Sequence, residues 1–192
     1  AQPPLLRHDQ QFAIGVIKEI LEATSVADPM TEGAHIGPVV NKAQFDKIQN
    51  LIQSAIDEGA QLVTGGTGRP ADLNRGYYVR PTLFSRVTPA MRIANEEVFG
   101  PVATVMAYID EEDGIRIAND TPYGLSATIS GDPAAAAKVA RRLRAGIVTI
   151  NNWLPDGAAP FGGYKQSGNG REGGVYGLRE FMEVKSVIGE PT

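Results

Sequence analysis

Alternating helical and strand patterns along the chain predict an α/β fold with three layers and a mostly parallel sheet. Apolar residues recur at helical spacing over 9–22 and 42–58, and short β-branched runs such as 102–109 follow them. The stretch 123–151 reads strand, helix, strand, and such a unit joins parallel strands through a right-handed crossover. No linker interrupts the 192 residues, so a single domain is predicted.

The first half of the chain is predicted to contain two helices and three short strands. Asn41 has the side chain of a helix N-cap, and Gly59 lies where a left-handed residue ends the helix 42–58. A strand follows at 61–64, and a second is predicted over 77–84. Pro81 has no backbone donor, so it favours an edge or a break in that second strand. The third, 102–109, is apolar and typical of a buried strand.

The second half is predicted to begin with a helix over 110–119 and to end with a short helix over 175–182 and a strand over 184–188. Between them lies the strand–helix–strand unit. Asp132 is predicted to cap its helix, with Pro133 at the first helical position. Gly146 is predicted to end that helix.

Composition and charge exclude several classes of protein. Hydrophobic residues make up 42% and charged residues 21%, which argues against a disordered chain or a coiled coil. The net charge is −4 without a long basic block, so nucleic-acid binding is not expected. With no cysteine and two histidines, neither a disulfide nor a metal site is predicted. No apolar run approaches the roughly 20 residues of a membrane span, and a cytoplasmic protein is expected.

Two short motifs carry candidate binding chemistry. The first, EEVFGP, spans Glu96–Pro101 and leads into the apolar run at 102. In an extended backbone residues two apart share a face, so Glu97 and Phe99 are predicted to point the same way. A carboxylate accepts hydrogen bonds from paired sugar hydroxyls, and a phenyl ring offers a flat wall to another ring. On spacing alone, a solvated acid pair before a core phenylalanine is an open alternative.

The second motif, PFGGYKQSGNGREG, is a loop over 160–173 with five glycines in fourteen residues. It holds Phe161 and Glu172 and looks built to line a pocket. Its last three glycines match the dinucleotide fingerprint, but no strand directly precedes them, so phosphate binding is not predicted. The turn 65–68 lacks the lysine of a P-loop, which weighs against a phosphate-dependent transferase. A core anchor for Phe161 and a helix cap for Glu172 are the structural alternatives.

Together the two motifs resemble those of the aldehyde dehydrogenase superfamily, and the resemblance runs in order along nearly the whole chain. It implies the catalytic-domain type of α/β fold, NAD or NADP as cofactor, an aldehyde substrate and a homo-oligomer. The site residues that it implies are Glu97 on the nicotinamide ribose, Phe99 near the nicotinamide, Gln44 near the ribose, Phe161 and Trp153 in the aldehyde pocket, and Glu172 as a candidate proton relay. An exposed helix position for Gln44 and a loop-packing role for Trp153 are the alternatives.

The family's covalent chemistry implies a nucleophilic cysteine, a glutamate base and a dinucleotide-binding domain, all N-terminal to the region matched. The chain has no cysteine. It is therefore expected to be the C-terminal catalytic-domain portion of a longer enzyme, inactive alone, with the cysteine shortly upstream of Ala1. The alternative is a non-catalytic oligomerisation or binding module, with 183–188 pairing as an edge strand. The family's usual strand before the first helix fits residues 3–8 poorly.

Overall fold

The computed structural model of the protein describes residues 4–151 and 156–189. The chain divides into two compact units, Ala1–Ile109 and Asp110–Thr192. The single domain expected from the chain length stays a prediction. The α/β class with a mostly parallel sheet is confirmed, because two of the three strand pairings in the described ranges are parallel.

The first unit holds a three-stranded sheet with the strand order β1-β2-β3. Its elements are α1 (Pro4–Ala23), α2 (Lys42–Asp57), β1 (Gln61–Thr64), β2 (Thr82–Ser85), α3 (Arg92–Asn95) and β3 (Val102–Thr104). The central strand β2 pairs antiparallel with β1 and parallel with β3. Helix α1 contacts β1 and β2.

The core of the first unit forms where α2 meets the sheet. All four residues of β2 are buried, so both faces of this strand are covered. Phe84 packs with the apolar stripe that α2 presents, including Ile48 and Ile52, which are fully buried. Asn41 caps α2 as predicted, since its side chain accepts from the backbone N–H of Gln44. Gly59 follows the helix at φ +93°, which confirms the left-handed end.

Two strands of the first unit are shorter than predicted. The strand predicted over 77–84 begins only at Thr82, because Pro81 has no N–H to donate into a ladder. The run 102–109 is strand only as far as Thr104, where its register against the four-residue β2 ends. The helix predicted over 9–22 instead begins at Pro4, so residues 4–8 are helical rather than a strand. Proline is well suited to a first helical turn.

The second unit holds a two-stranded parallel sheet. Its elements are α4 (Glu111–Asn119), β4 (Ser126–Ile129), α5 (Pro133–Ala140), β5 (Ile147–Ile150), a 3₁₀ turn (Lys165–Ser167) and α6 (Gly174–Glu180). Strands β4 and β5 pair in parallel around α5, which confirms the strand–helix–strand unit. The Asp132 side chain accepts from the backbone N–H of Ala135, and Pro133 opens the helix as predicted.

Two predictions for the second unit are wrong. Helix α5 ends at Ala140, not at Gly146. Gly146 is instead needed for close approach, because a Cβ there would collide with the carbonyl group of Gly162. The strand predicted over 184–188 is absent, and Val184 and Ile188 are 99% and 94% exposed. No strand among the described residues pairs with this segment, so its backbone does not form a ladder.

Within residues 4–151 and 156–189, no helix combines the length and the apolar character needed to cross a bilayer.

Candidate functional site

The acid–aromatic segment, Glu96–Pro101, connects α3 to β3. Helix α3 ends at Asn95, and the backbone N–H of the C-cap residue Glu96 donates to the carbonyl of Arg92. Phe99 has φ +54°, in the left-handed region that residues with a Cβ seldom adopt. The backbone is therefore not uniformly extended, and the alternation rule does not fix where Phe99 points relative to Glu97.

The two glutamates of this segment have different surroundings. The carboxylate of Glu96 accepts from Arg92 Nε at 2.7 Å and Nη2 at 3.2 Å. The hydrogen bond from Arg92 lowers the pKa of Glu96 below its ordinary value of 4.5. The carboxylate of the exposed Glu97 has neither a hydrogen bond nor an ion pair with any described residue. Glu97 thus keeps its full acceptor capacity for a ligand.

The ring of Phe99 is 68% exposed. The alternative of a core phenylalanine is therefore wrong. An exposed aromatic ring on a left-handed backbone gains little from packing, yet the conformation costs about 1–3 kcal/mol. Strained residues of this kind cluster at binding sites, and the segment qualifies as a candidate site on its geometry.

Helix α2 holds the acid–aromatic segment from one side. The side-chain amide nitrogen of Gln44 donates to the carbonyl oxygens of Val98 at 2.9 Å and Phe99 at 3.2 Å. The ammonium group of Lys47 donates to the carbonyl oxygen of Glu97 at 2.7 Å. Lys47 was missed by the sequence reasoning, although its spacing of three residues from Gln44 places both on one helix face.

The two ends of the Gln44 amide have different surroundings. Carbonyl oxygens only accept, so the nitrogen must be the end that meets Val98 and Phe99. No hydrogen bond within the described ranges engages the Gln44 side-chain oxygen. That oxygen remains available to a ligand hydroxyl, and the predicted contact of Gln44 with the cofactor ribose stays a prediction.

In the second unit, the glycine loop places Phe161 directly opposite Glu172. The two residues exchange backbone hydrogen bonds of 2.7 Å in both directions, as in a short antiparallel bridge. Phe161 is 47% exposed and Glu172 is exposed, so Phe161 is not a plain core anchor. The N-cap position of α6 belongs to Gly173, which leaves Glu172 outside the cap.

Arg171, for which the sequence favours a structural role, fastens the glycine loop together with Lys165, which the sequence reasoning missed. Arg171 Nη1 donates to the carbonyls of Gly163 at 3.0 Å and Gly170 at 2.8 Å. Its guanidinium also lies 5.5 Å from the ring centroid of Tyr164, in cation–π range. Lys165 Nζ donates to two carbonyls before β4, at 2.7 and 2.9 Å. The loop that presents Phe161 and Glu172 is thus held by charged side chains on main-chain oxygens.

The predicted site residues form one group in each unit. Gln44 contacts the segment that carries Glu97 and Phe99, and Phe161 pairs with Glu172. Trp153 lies outside the described residues. A separate open hollow of about 320 Å³, lined by 72–76 together with Asp28 and Tyr78, contains none of the predicted site residues.

Comparison with known proteins identifies the family of the chain. The Aldehyde dehydrogenase family matches residues 9–187 of the chain. A curated relative from Staphylococcus saprophyticus, whose name assigns it to the aldehyde dehydrogenases, is 49% identical over 174 residues. That match covers 90% of this chain and 37% of the relative. The chain therefore spans little more than a third of the length of such relatives.

Solved structures show the same similarity. The aldehyde dehydrogenase of Bartonella henselae has a TM-score of 0.88 and 50% identity, covering 91% of this chain and 37% of that chain. A mutant of aldehyde dehydrogenase C from Pseudomonas syringae, in complex with NAD+ and octanal, has a TM-score of 0.87 and 45% identity, covering 92% and 37%. The Mycobacterium tuberculosis enzyme complexed with NAD+ has a TM-score of 0.86 and 39% identity, covering 91% and 36%. The chain belongs to the aldehyde dehydrogenase family.

Proposed function

We propose that this chain is part of an NAD(P)-dependent aldehyde dehydrogenase that oxidises an aldehyde to a carboxylic acid. The observation that carries the proposal is the acid–aromatic segment, where an unpaired carboxylate and an exposed ring lie two residues apart on a strained backbone. A ribose offers adjacent hydroxyls and a nicotinamide offers a flat ring, so the two side chains fit the two parts of one ligand.

Each residue of this group has a distinct role in the proposal. The Glu97 carboxylate accepts hydrogen bonds from the ribose hydroxyls, and the Phe99 ring packs against the nicotinamide. The free side-chain oxygen of Gln44 accepts from a hydroxyl of the same ribose. When bound, NAD+ or NADP+ supplies a hydride acceptor. NAD+ is the form present in the similar structures from Pseudomonas syringae and Mycobacterium tuberculosis.

The glycine loop serves the aldehyde in this proposal. The half-exposed ring of Phe161 lines the aldehyde site, together with Trp153, which lies outside the described residues. Glu172, bridged to Phe161 through the backbone, accepts and passes on protons that the reaction releases. The hydrogen bonds from Arg171 and Lys165 to main-chain carbonyls limit the motion of the loop that carries Phe161 and Glu172. This matters because a small displacement of a positioning group lowers the rate of catalysis.

The nucleophile is assigned to the remainder of a longer protein. Covalent attack on an aldehyde requires a thiolate, and the chain has no cysteine. Relatives are nearly three times as long as the matched region, which leaves room for the cysteine, the base and a dinucleotide-binding domain. The homo-oligomer and the cytoplasmic location expected from the resemblance belong to the same proposal.

The test is a titration of the chain with nicotinamide mononucleotide, followed by amide chemical shifts in NMR spectra. This ligand contains only the ribose and nicotinamide that the segment is proposed to bind. We expect the shifts to move around Glu97 and Phe99, and Glu97→Gln to weaken binding about tenfold, the effect of about 1.4 kcal/mol. Glu96→Gln is the matched control, because the neighbouring carboxylate is already paired with Arg92. Equal losses in the two variants, or shifts located elsewhere, would count against the proposal.

A further inference from the structure

Helix α2 reaches three consecutive main-chain carbonyls of the acid–aromatic segment with two side chains. Lys47 donates to Glu97, and Gln44 donates to Val98 and Phe99. We propose that Gln44 and Lys47 are positioning residues that hold this backbone in its strained conformation and thereby set the Glu97 carboxylate and the Phe99 ring for the nicotinamide–ribose ligand. The inference rests on the proposed function.

The geometry requires a backbone that is not extended. In a strand, successive carbonyls point to opposite sides, so one neighbouring helix could not reach three in a row. The left-handed turn at Phe99 breaks this alternation and lets all three carbonyls meet donors from α2. The hydrogen bonds and the strained φ therefore depend on each other.

The acid–aromatic segment also approaches α2 closely at Gly100. A Cβ on Gly100 would lie 2.6 Å from Ile48 Cδ1, so a larger residue there would require the end of the Ile48 side chain to shift. The segment is also anchored at both ends. The N–H of Glu96 donates to the Arg92 carbonyl, and the carbonyl of Pro101 accepts from Thr82. Between these anchors, α2 supplies the hydrogen bonds of the Glu97, Val98 and Phe99 carbonyls, and the Gly100 carbonyl accepts from the N–H of Val102.

The two donors suit this task. An ammonium group makes a charge-assisted hydrogen bond to a carbonyl, roughly twice as strong as a neutral one. Gln44 and Lys47 are half-buried and exposed, respectively, and neither belongs to the fully buried core. Removing either donor is therefore expected to relax the segment without unfolding the unit. Because binding sites lose affinity when their side chains are not preorganised, the relaxed segment should bind its ligand more weakly.

The experiment compares Lys47→Met and Gln44→Met, which keep the length of each side chain but remove its donor. Lys42→Met is the matched control, since Lys42 lies on the same helix and pairs only with Asp46 among the described residues. Carbon chemical shifts of Val98 and Phe99 report the backbone conformation, and titration with nicotinamide mononucleotide reports the affinity. Thermal unfolding of each variant checks that the fold is retained.

We expect both test variants to move the Phe99 carbon shifts away from left-handed values and to weaken binding at least fivefold. Lys47→Arg, which keeps a charged donor, should restore much of both signals, and Lys42→Met should change neither. Unchanged Phe99 shifts in both test variants would overturn the positioning role. Moved shifts with unchanged affinity in Lys47→Met would overturn the link to the ligand, and this variant decides because Gln44→Met also removes the oxygen proposed to contact the ribose. If the unaltered chain binds no mononucleotide while the shifts of the variants still move, the cofactor assignment fails and the positioning role of Gln44 and Lys47 is supported.

Discussion

Phe99 occupies a backbone conformation that is unfavourable for every residue with a Cβ. At this position a glycine variant should therefore be more stable than an alanine variant, which is the reverse of the usual order. Phe99→Ala and Phe99→Gly remove the same ring, which has few contacts because it is 68% exposed. The alanine variant keeps the cost of φ +54°, about 1–2 kcal/mol. Glycine avoids that cost and loses about 0.5–1 kcal/mol through its greater freedom in the unfolded chain. The glycine variant should therefore be the more stable of the two, by about 0.5–1 kcal/mol.

Urea unfolding followed by circular dichroism measures this difference. The free energy of unfolding must fall with urea concentration at the same slope in the two variants. The control is Ala13→Gly, at an exposed position inside α1, where glycine should cost about 1 kcal/mol. We expect glycine to give a more stable protein than alanine at position 99 and a less stable one at position 13. If glycine at position 99 is less stable than alanine by as much as it is at position 13, the backbone there is not held in the left-handed region.

Three further predictions concern other parts of the chain. Gly146→Ala should destabilise the second unit by about 1–3 kcal/mol because its Cβ meets the Gly162 carbonyl. Gly15→Ala, in open space within α1, should instead stabilise the first unit. Thermal unfolding measures both effects. The lowered pKa of Glu96 means that its pair with Arg92 stabilises the fold above pH 4.5 and is lost as the pH falls through the lower folded-state value. Acid unfolding should therefore begin at higher pH in Glu96→Ala than in Asp57→Ala, and equal onsets would contradict a stabilising pair. The purified chain should form no NADH with an aldehyde, because it has no thiol nucleophile; aldehyde-dependent absorbance at the NADH band would contradict this.

Several local features were predictable because they depend on residues close in sequence. The caps at Asn41 and Asp132 each bond a backbone N–H three residues on, so the sequence pattern contains the whole interaction. The parallel pair β4–β5 also followed from its pattern. Strand lengths were overestimated, since the end of a strand depends on its partner, as at Thr104. The same reason accounts for the absent strand at 184–188, which has no partner among the described residues.

The sequence by itself determined the family, the residues of both motifs and the identity of Glu97 and Phe99 as candidates, because these are properties of residue type and order. Only the tertiary structure decided that Phe99 is left-handed and that Lys47 meets the carbonyl of Glu97, fifty positions away. Such contacts depend on how α2 packs against the segment before β3, and that packing is set by the shared core around Ile48 and Phe84. No local pattern contains that information.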